Sequence, residues 1–369
     1  MRFHILGMSH SKTRKDYSAD AFSQKCRLLC KLLTDRGHTV YHYGTEGSDP
    51  VCTENVPVVS KQVFDEVHGG YDWKRDGFLI NTENRAYKDF IENSVREIRR
   101  RAQPRDFLLC TFGTGHKPIA DALPDLIVCE PGIGYEFSFA PHRVFESYPM
   151  MNYVYGRENK LLSPSLYDAV IPNYYDLDDY IFSEHKQDYF FFIGRPTPLK
   201  GLEIAIKCVE HAGAELIVAG QGEPPFKSDR MRHVGVVSIE QRAVLMSGAR
   251  ATFVPTYYIE PFGSTVIESL LCGTPVIATD LGAFSDTVVH GKVGYRCRTL
   301  EQFHWATQNI GNISPRECRR YAEANYSLER VGAMYDEYFD MLHRLYTDDA
   351  GWYQRNDQRS ELDWLNRYV

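Results

Sequence analysis

The sequence predicts an α/β fold made of two doubly wound units with parallel sheets. Short apolar runs alternate with segments of helical period through both halves of the chain. Runs at 107–110 and 126–129 are each followed by Gly-containing loops, as strands of a parallel sheet are before a crossover. At 369 residues the chain is too long for one ordinary domain and about right for two.

The elements follow in order. Residues 3–6 are apolar and open the first strand. Ser18 is placed to cap a helix in which Phe22, Cys26, Leu29, Cys30 and Leu33 recur at helical spacing, and Gly37 suits the residue past its end. Residues 39–43 read as the next strand. Residues 50–90 carry no clear pattern, and 92–101 read as a basic helix. The run 169–173 is a strand ending in a turn, and Asp176, Asp178 and Asp179 mark an acidic linker. A second register then begins with a strand at 189–193, a loop at 194–200 and a helix at 202–211. The strand 215–219 closes on Gly220-Gln221-Gly222. Strands at 251–255 and 275–279 flank a helix at 264–272, and helices dominate after residue 300.

Composition excludes several classes. Hydrophobic residues at 43% and charged residues at 25% match a soluble globular protein. A net charge of -7 argues against wholesale nucleic-acid binding. No apolar run approaches the ~18 residues of a membrane span, and the apolar stretch at the N-terminus is too short for a signal peptide. Nine scattered cysteines without a C-x-x-C pair suit a reducing cytoplasm, so a cytoplasmic location is expected and a zinc site is not.

The chemistry concentrates at 252–295, around Glu260-Pro261-Phe262-Gly263-Ser264-Thr265-Val266-Ile267-Glu268. Gly263 lets backbone approach a ligand, and the free amides of the helix start favour phosphate or sugar oxygens. Glu260 and Glu268, eight residues apart, suit sugar or ribose hydroxyls. Taken alone, Glu260 reads equally well as an acidic turn that complements the helix dipole. Upstream, Gly194-Arg195-Pro196-Thr197-Pro198-Leu199-Lys200-Gly201 sets a planar guanidinium and an ammonium on one loop after a strand. A diphosphate needs such a pair, which taken alone also reads as solvated surface charge.

Residues 189–295 resemble the family-four retaining glycosyltransferases, which have the GT-B fold: two Rossmann-like domains whose parallel sheets face a central cleft. Ile171-Pro172-Asn173-Tyr174-Tyr175-Asp176 resembles that group's landmark before the linker, while the N-terminal half matches in layout alone. The resemblance implies an N-terminal acceptor domain at 1–176 and a nucleotide-sugar donor domain at 177–340. A helical tail at 341–369 is expected to pack back on the first domain. It implies Arg195, Lys200 and Glu260 as catalytic residues, the cations on the donor diphosphate and Glu260 on the transferred sugar. Gly194, Val236, Phe262, Gly263, Ser264 and Glu268 would bind the donor, with Glu268 on the ribose and Val236 at the base. The implied reaction is hexosyl transfer with retention, with no metal and no cofactor beyond the donor substrate.

The chain departs from the pattern in places. Asp286 stands where Glu is usual, the first loop reads Gly7-Met8-Ser9-His10, and Glu130-Pro131-Gly132-Ile133-Gly134-Tyr135 replaces the usual N-domain histidine region. His10, His116 and Glu130 are therefore the acceptor-side candidates. His116 reads equally well as a helix-start histidine. Asp176, Asp178 and Asp179 imitate a metal motif, but the landmark puts them in the linker. The expected acceptor is a saccharide or glycolipid. Arg96, Arg99, Arg100, Arg101 and Arg105, taken to lie near Lys12, Arg14 and Lys15, leave a hydroxylated DNA base as an alternative. A nucleotide-sugar epimerase and a non-catalytic sugar-nucleotide-binding protein are further alternatives.

Overall fold

The computed structural model describes residues 1–160, 162 and 164–347. Two all-parallel sheets carry the fold. The first contains β1 (Arg2–Leu6), β2 (Thr39–Thr45), β3 (Glu54–Val59), β4 (Phe107–Leu109), β5 (Ile127–Ile133), β6 (His142–Phe145) and β7 (Ala169–Val170), in the order β3-β2-β1-β4-β5-β6-β7. The second contains β8 (Tyr189–Ile193), β9 (Glu215–Ala219), β10 (Met231–His233), β11 (Thr252–Val254), β12 (Val276–Thr279) and β13 (Gly294–Cys297), in the order β10-β9-β8-β11-β12-β13. The strand order reverses beside β1 and beside β8. A parallel sheet opens a crevice at such a switch point, outside the carboxyl ends of its strands. The loops after β1 and β8 therefore meet the cleft, and the Arg195 loop is one of them.

Burial on both faces explains the run Phe190-Phe191-Phe192 in β8. The rings of Phe190 and Phe192 join one core with Leu202, Val266 and Leu270, while Phe191 joins another with Met246 and Ala243. A buried aromatic side chain contributes about 1.5–3 kcal/mol of transfer free energy, so this strand is anchored from either side. The strand that aims Arg195 is therefore among the best-held parts of the second sheet.

The chain crosses between the sheets twice, and the crossings are bonded to each other. The Tyr175 amide donates to the Tyr326 carbonyl at 2.9 Å, and the Leu328 amide donates to Tyr175 at 3.1 Å. The helix Leu328–Thr347 then lies on the first sheet, where Tyr335, Tyr338 and Phe339 share a core with Phe3 and Phe107. The return crossing thus begins at Leu328, ahead of the expected residue 341. Residues 348–369 of the expected tail lie outside the described residues.

Other expectations shift in detail. The helix Ala21–Asp35 is capped by Asp20, which accepts the Phe22 amide at 3.1 Å, and not by Ser18. Ser18 instead donates to the Val237 carbonyl across the cleft at 3.3 Å. The patternless stretch holds β3 and the helix Lys61–His68, and the basic helix runs over Arg85–Arg101. That helix ends beside the amino ends of the strands, where Arg101 pairs with Glu54 at 2.7 Å and its carbonyl accepts from Arg2. Lys12, Arg14 and Lys15 follow the carboxyl end of β1. The two basic groups therefore occupy opposite ends of the sheet and form no common patch. Lys15 is moreover paired with Asp179 and Glu240, at 2.8 and 2.9 Å.

Candidate functional site

The Glu260–Glu268 segment is shaped by two glycines. Gly263 holds φ at +81°, and a Cβ there would lie 2.6 Å from the Phe284 ring. It precedes the helix Ser264–Leu271, which no side chain caps, so the first amides remain available to oxygen atoms in the cleft. Gly282, at φ +57°, sits against the Glu260 backbone, where a Cβ would lie 2.5 Å from the Glu260 nitrogen. The Ala283 amide donates to the Glu260 carbonyl at 2.9 Å. The 282–286 loop thus supports Glu260 from behind. Asp286 lies on the short helix Phe284–Thr287 behind that support and does not line the cleft cavities.

A cavity of about 440 Å3 separates the two sheets. Arg195, Lys200, Glu260 and the 261–265 backbone line one side, and Phe22, Lys25, Tyr135 and Glu146 line the other. Lys200 Nζ donates to Glu260 Oε2 at 3.1 Å and lies 4.8 Å from the Tyr258 ring centroid. Burial alone would lower the Lys200 pKa, but the Glu260 carboxylate and Tyr258 outweigh it and hold it above the ordinary lysine value. Lys200 is therefore a cation throughout the neutral range. Arg195 is exposed at the mouth and also borders an adjoining cavity with His10, Phe78, Gly194, Val236 and Arg242.

Glu268 sits deeper. Arg242 Nη1 meets Glu268 Oε1 at 3.0 Å, and both line a smaller recess with Tyr175 and Tyr180. Burial raises the Glu268 pKa, partly offset by Arg242 and Tyr180. The residues singled out in the second half, from Gly194 to Glu268, thus border three contiguous recesses that share Arg195, Arg242, Ser264 and Thr265 among their walls.

The N-terminal candidates divide. His10 borders the cleft, 3.5 Å from the Asp20 carboxylate. Burial raises the Asp20 pKa, but the nearby His10 ring and hydrogen bonds from Ser11 and Ser23 prevail and hold it below the usual carboxylate value. His116 is fully buried, joined to the Gly7 carbonyl at 3.1 Å and to the Thr111 amide at 3.2 Å. Glu130 is also buried, accepting the Phe139 and Ala140 amides at 2.7 and 2.8 Å. Both organise loops, and neither lines the cleft cavities. Asp179 of the acidic linker is taken up by Arg27 at 2.9 Å as well as by Lys15.

Three cleft residues escaped the sequence reading. Lys25 lies three residues after Phe22, on the inward face of its helix, and an inward lysine was the available signal. Glu146 directly follows the wholly buried strand β6. Arg242 interrupts the apolar positions Ile239, Ala243 and Met246 in the helix Ile239–Gly248.

Comparison with known proteins bears on the fold and on the second half of the chain. A family model described as glycosyl transferases group 1 matches residues 178–324. Glycogen synthase of Mycobacterium tuberculosis is 28% identical over 121 residues, which span 29% of this chain and 29% of that protein. The chain thus covers less than a third of that relative. Sucrose-phosphate synthase of Thermosynechococcus elongatus superposes with a TM-score of 0.69 at 18% identity, covering 93% of this chain and 99% of that one. HepE of Anabaena, solved in complex with UDP-glucose, gives 0.66 at 14% identity, covering 92% and 99%. No helix among the described residues is long and apolar enough to cross a membrane. The chain has the GT-B fold, and its residues 178–324 match the family model of the glycosyl transferases group 1.

Proposed function

We propose that this chain is a retaining glycosyltransferase that moves a sugar from a nucleoside-diphosphate sugar to a hydroxyl of a saccharide or glycolipid. One observation carries the reading. Two cations from the loop after β8, a carboxylate and an uncapped helix start converge on one cavity. Arg195 and Lys200 hold the diphosphate, with Gly194 beside them. Glu260 accepts from hydroxyls of the transferred sugar, and the amides of Phe262, Gly263 and Ser264 meet its oxygens and the phosphate. Glu268 takes the ribose hydroxyls, and the backbone at Val236 meets the base. The similarity to a fold solved with UDP-glucose supports a donor of this class.

In the proposed reaction the bond between the anomeric carbon and the diphosphate oxygen stretches toward an oxocarbenium-like state. Arg195, Lys200 and the helix-start amides stabilise the charge that develops on the departing phosphate. The acceptor oxygen bonds to the anomeric carbon from the same face. Its proton passes to the departing phosphate oxygen, so the products are the glycoside and the nucleoside diphosphate. Glu260 positions the sugar and forms no covalent bond, and the proposed scheme calls for no metal.

A thermal-shift screen against UDP-, GDP-, ADP- and TDP-sugars tests the donor assignment, because a ligand that binds only the folded state raises its stability. A dose-dependent rise with one of them is expected, followed by transfer with the donor's anomeric configuration in the product. A flat response to all four would remove the reading.

A further inference from the structure

The N-terminal wall of the cavity bordered by Lys200 and Glu260 holds an ion pair that the donor assignment does not use. Lys25 extends from the helix Ala21–Asp35, and its ammonium donates to Glu146 Oε1 and, at 3.2 Å, to the Gly132 carbonyl. The Glu146 side chain is only 4% exposed. The carboxylate fits because residue 134 is glycine: a Cβ there would come 2.6 Å from Glu146 Oε2. Phe22 and Tyr135 flank the pair, with their ring centroids 6.1 Å apart.

This wall is fastened to the donor side. Ser147, next to Glu146, donates its hydroxyl to the carbonyl of Pro261, next to Glu260, at 2.5 Å. The backbones bearing Glu146 and Glu260 are therefore held together across the cleft, and both residues line the same cavity. A group lodged against Lys25 and Glu146 lies beside a sugar held by Glu260.

We propose that Lys25 and Glu146 form the acceptor subsite and select an uncharged saccharide. The inference rests on the glycosyl-transfer reading above. The pair sums to zero charge, yet offers a strong donor and a strong acceptor side by side. Adjacent hydroxyls of a sugar satisfy both, one accepting from Lys25 and one donating to Glu146. The flanking rings offer apolar faces to the sugar's C–H surface. A phosphate or carboxylate on the acceptor would lie beside the Glu146 carboxylate and find the Lys25 ammonium already engaged by it, so anionic sugars are disfavoured.

The test uses the full chain with the nucleotide sugar that gives the largest thermal shift. Acceptors are methyl glycosides of glucose, galactose, mannose and N-acetylglucosamine, set against glucose 6-phosphate, fructose 6-phosphate and glucuronate. Transfer to at least one neutral glycoside is expected, with kcat/KM at least tenfold above every anionic probe. K25M and E146Q should raise the acceptor KM at least tenfold while the donor Kd stays within twofold. G134A, which crowds the carboxylate without removing a charge, should act in the same direction and serves if either charge variant fails to fold. Preference for an anionic probe overturns the proposal, as does an unchanged acceptor KM in folded variants, or donor binding without transfer to any neutral probe. Absence of any donor shift in the unaltered protein instead overturns the donor reading on which it rests.

Discussion

Lys200 and Glu260 stand 3.1 Å apart, joined from the loop after β8 and the loop before the helix Ser264–Leu271. The side chains are 29% and 14% exposed, so water reaches the ammonium while the carboxylate is largely enclosed. On the proposed donor reading, Arg195 and Lys200 would each give the diphosphate a charge-assisted hydrogen bond of about 1.5–3 kcal/mol. Arg195→Ala and Lys200→Ala should each lower kcat/KM at least tenfold in a protein that keeps its far-ultraviolet circular dichroism. Unaltered rates in a folded Arg195→Ala variant would refute the phosphate role.

Arg242 and Glu268 are a different kind of pair. Their side chains are 15% and 9% exposed, and Arg242 reaches Glu268 from the helix Ile239–Gly248. Removing one partner leaves the other charge enclosed, which costs about 3–5 kcal/mol. Arg242→Ala should therefore lower the urea midpoint strongly, and bound nucleotide sugar should recover only part of the loss. A midpoint equal to that of the unaltered protein would show the pair to be well solvated.

Gly263 allows a backbone-level test. A left-handed φ costs a residue with a Cβ about 1–2 kcal/mol, and the Phe284 ring leaves no room for that carbon. Gly263→Ala should thus weaken donor binding by displacing the helix-start amides, with a smaller effect on stability because the strands beneath are anchored on both faces. Calorimetric titration with the preferred donor measures the first effect, and urea unfolding the second. Donor affinity within twofold of the original would separate these amides from binding.

Much of this arrangement is legible in the sequence because the second half obeys local rules. The runs 189–193, 215–219 and 275–279 are apolar on both faces, as strands covered by helices must be, and Gly263 and Gly282 sit where the backbone turns tightly. The first half is harder to read. β3 alternates exposed and buried positions around Pro57 and lies at the sheet edge, so its pattern is weak. Lys25 and Glu146 become neighbours only when a helix from the start of the chain packs beside the end of β6, 121 residues later. His116 misleads for the opposite reason. Its place after a Gly-rich loop suggests the cleft, yet the short turn Gly113–His116 directs the ring inward to the Gly7 carbonyl.

That inward ring makes stability depend on acidity. The Gly7 carbonyl accepts from one nitrogen of His116, and the Thr111 amide donates to the other, so the neutral ring is satisfied on both sides. Burial pushes its pKa down to about 3. The unfolded chain holds this proton near pH 6.5, so between about 6.5 and 3 the unfolded state binds more protons than the folded one. The contribution is complete above pH 6.5 and falls as pH drops through that window, reaching a loss of about 2 kcal/mol at pH 5. His116→Gln keeps a hydrogen-bonding side chain without a titrating ring. Whatever its stability at pH 7.5, it should lose about 2 kcal/mol less than the unaltered protein on moving to pH 5, read as the change in unfolding free energy in urea. Parallel losses in the two proteins would mean that His116 does not titrate on unfolding.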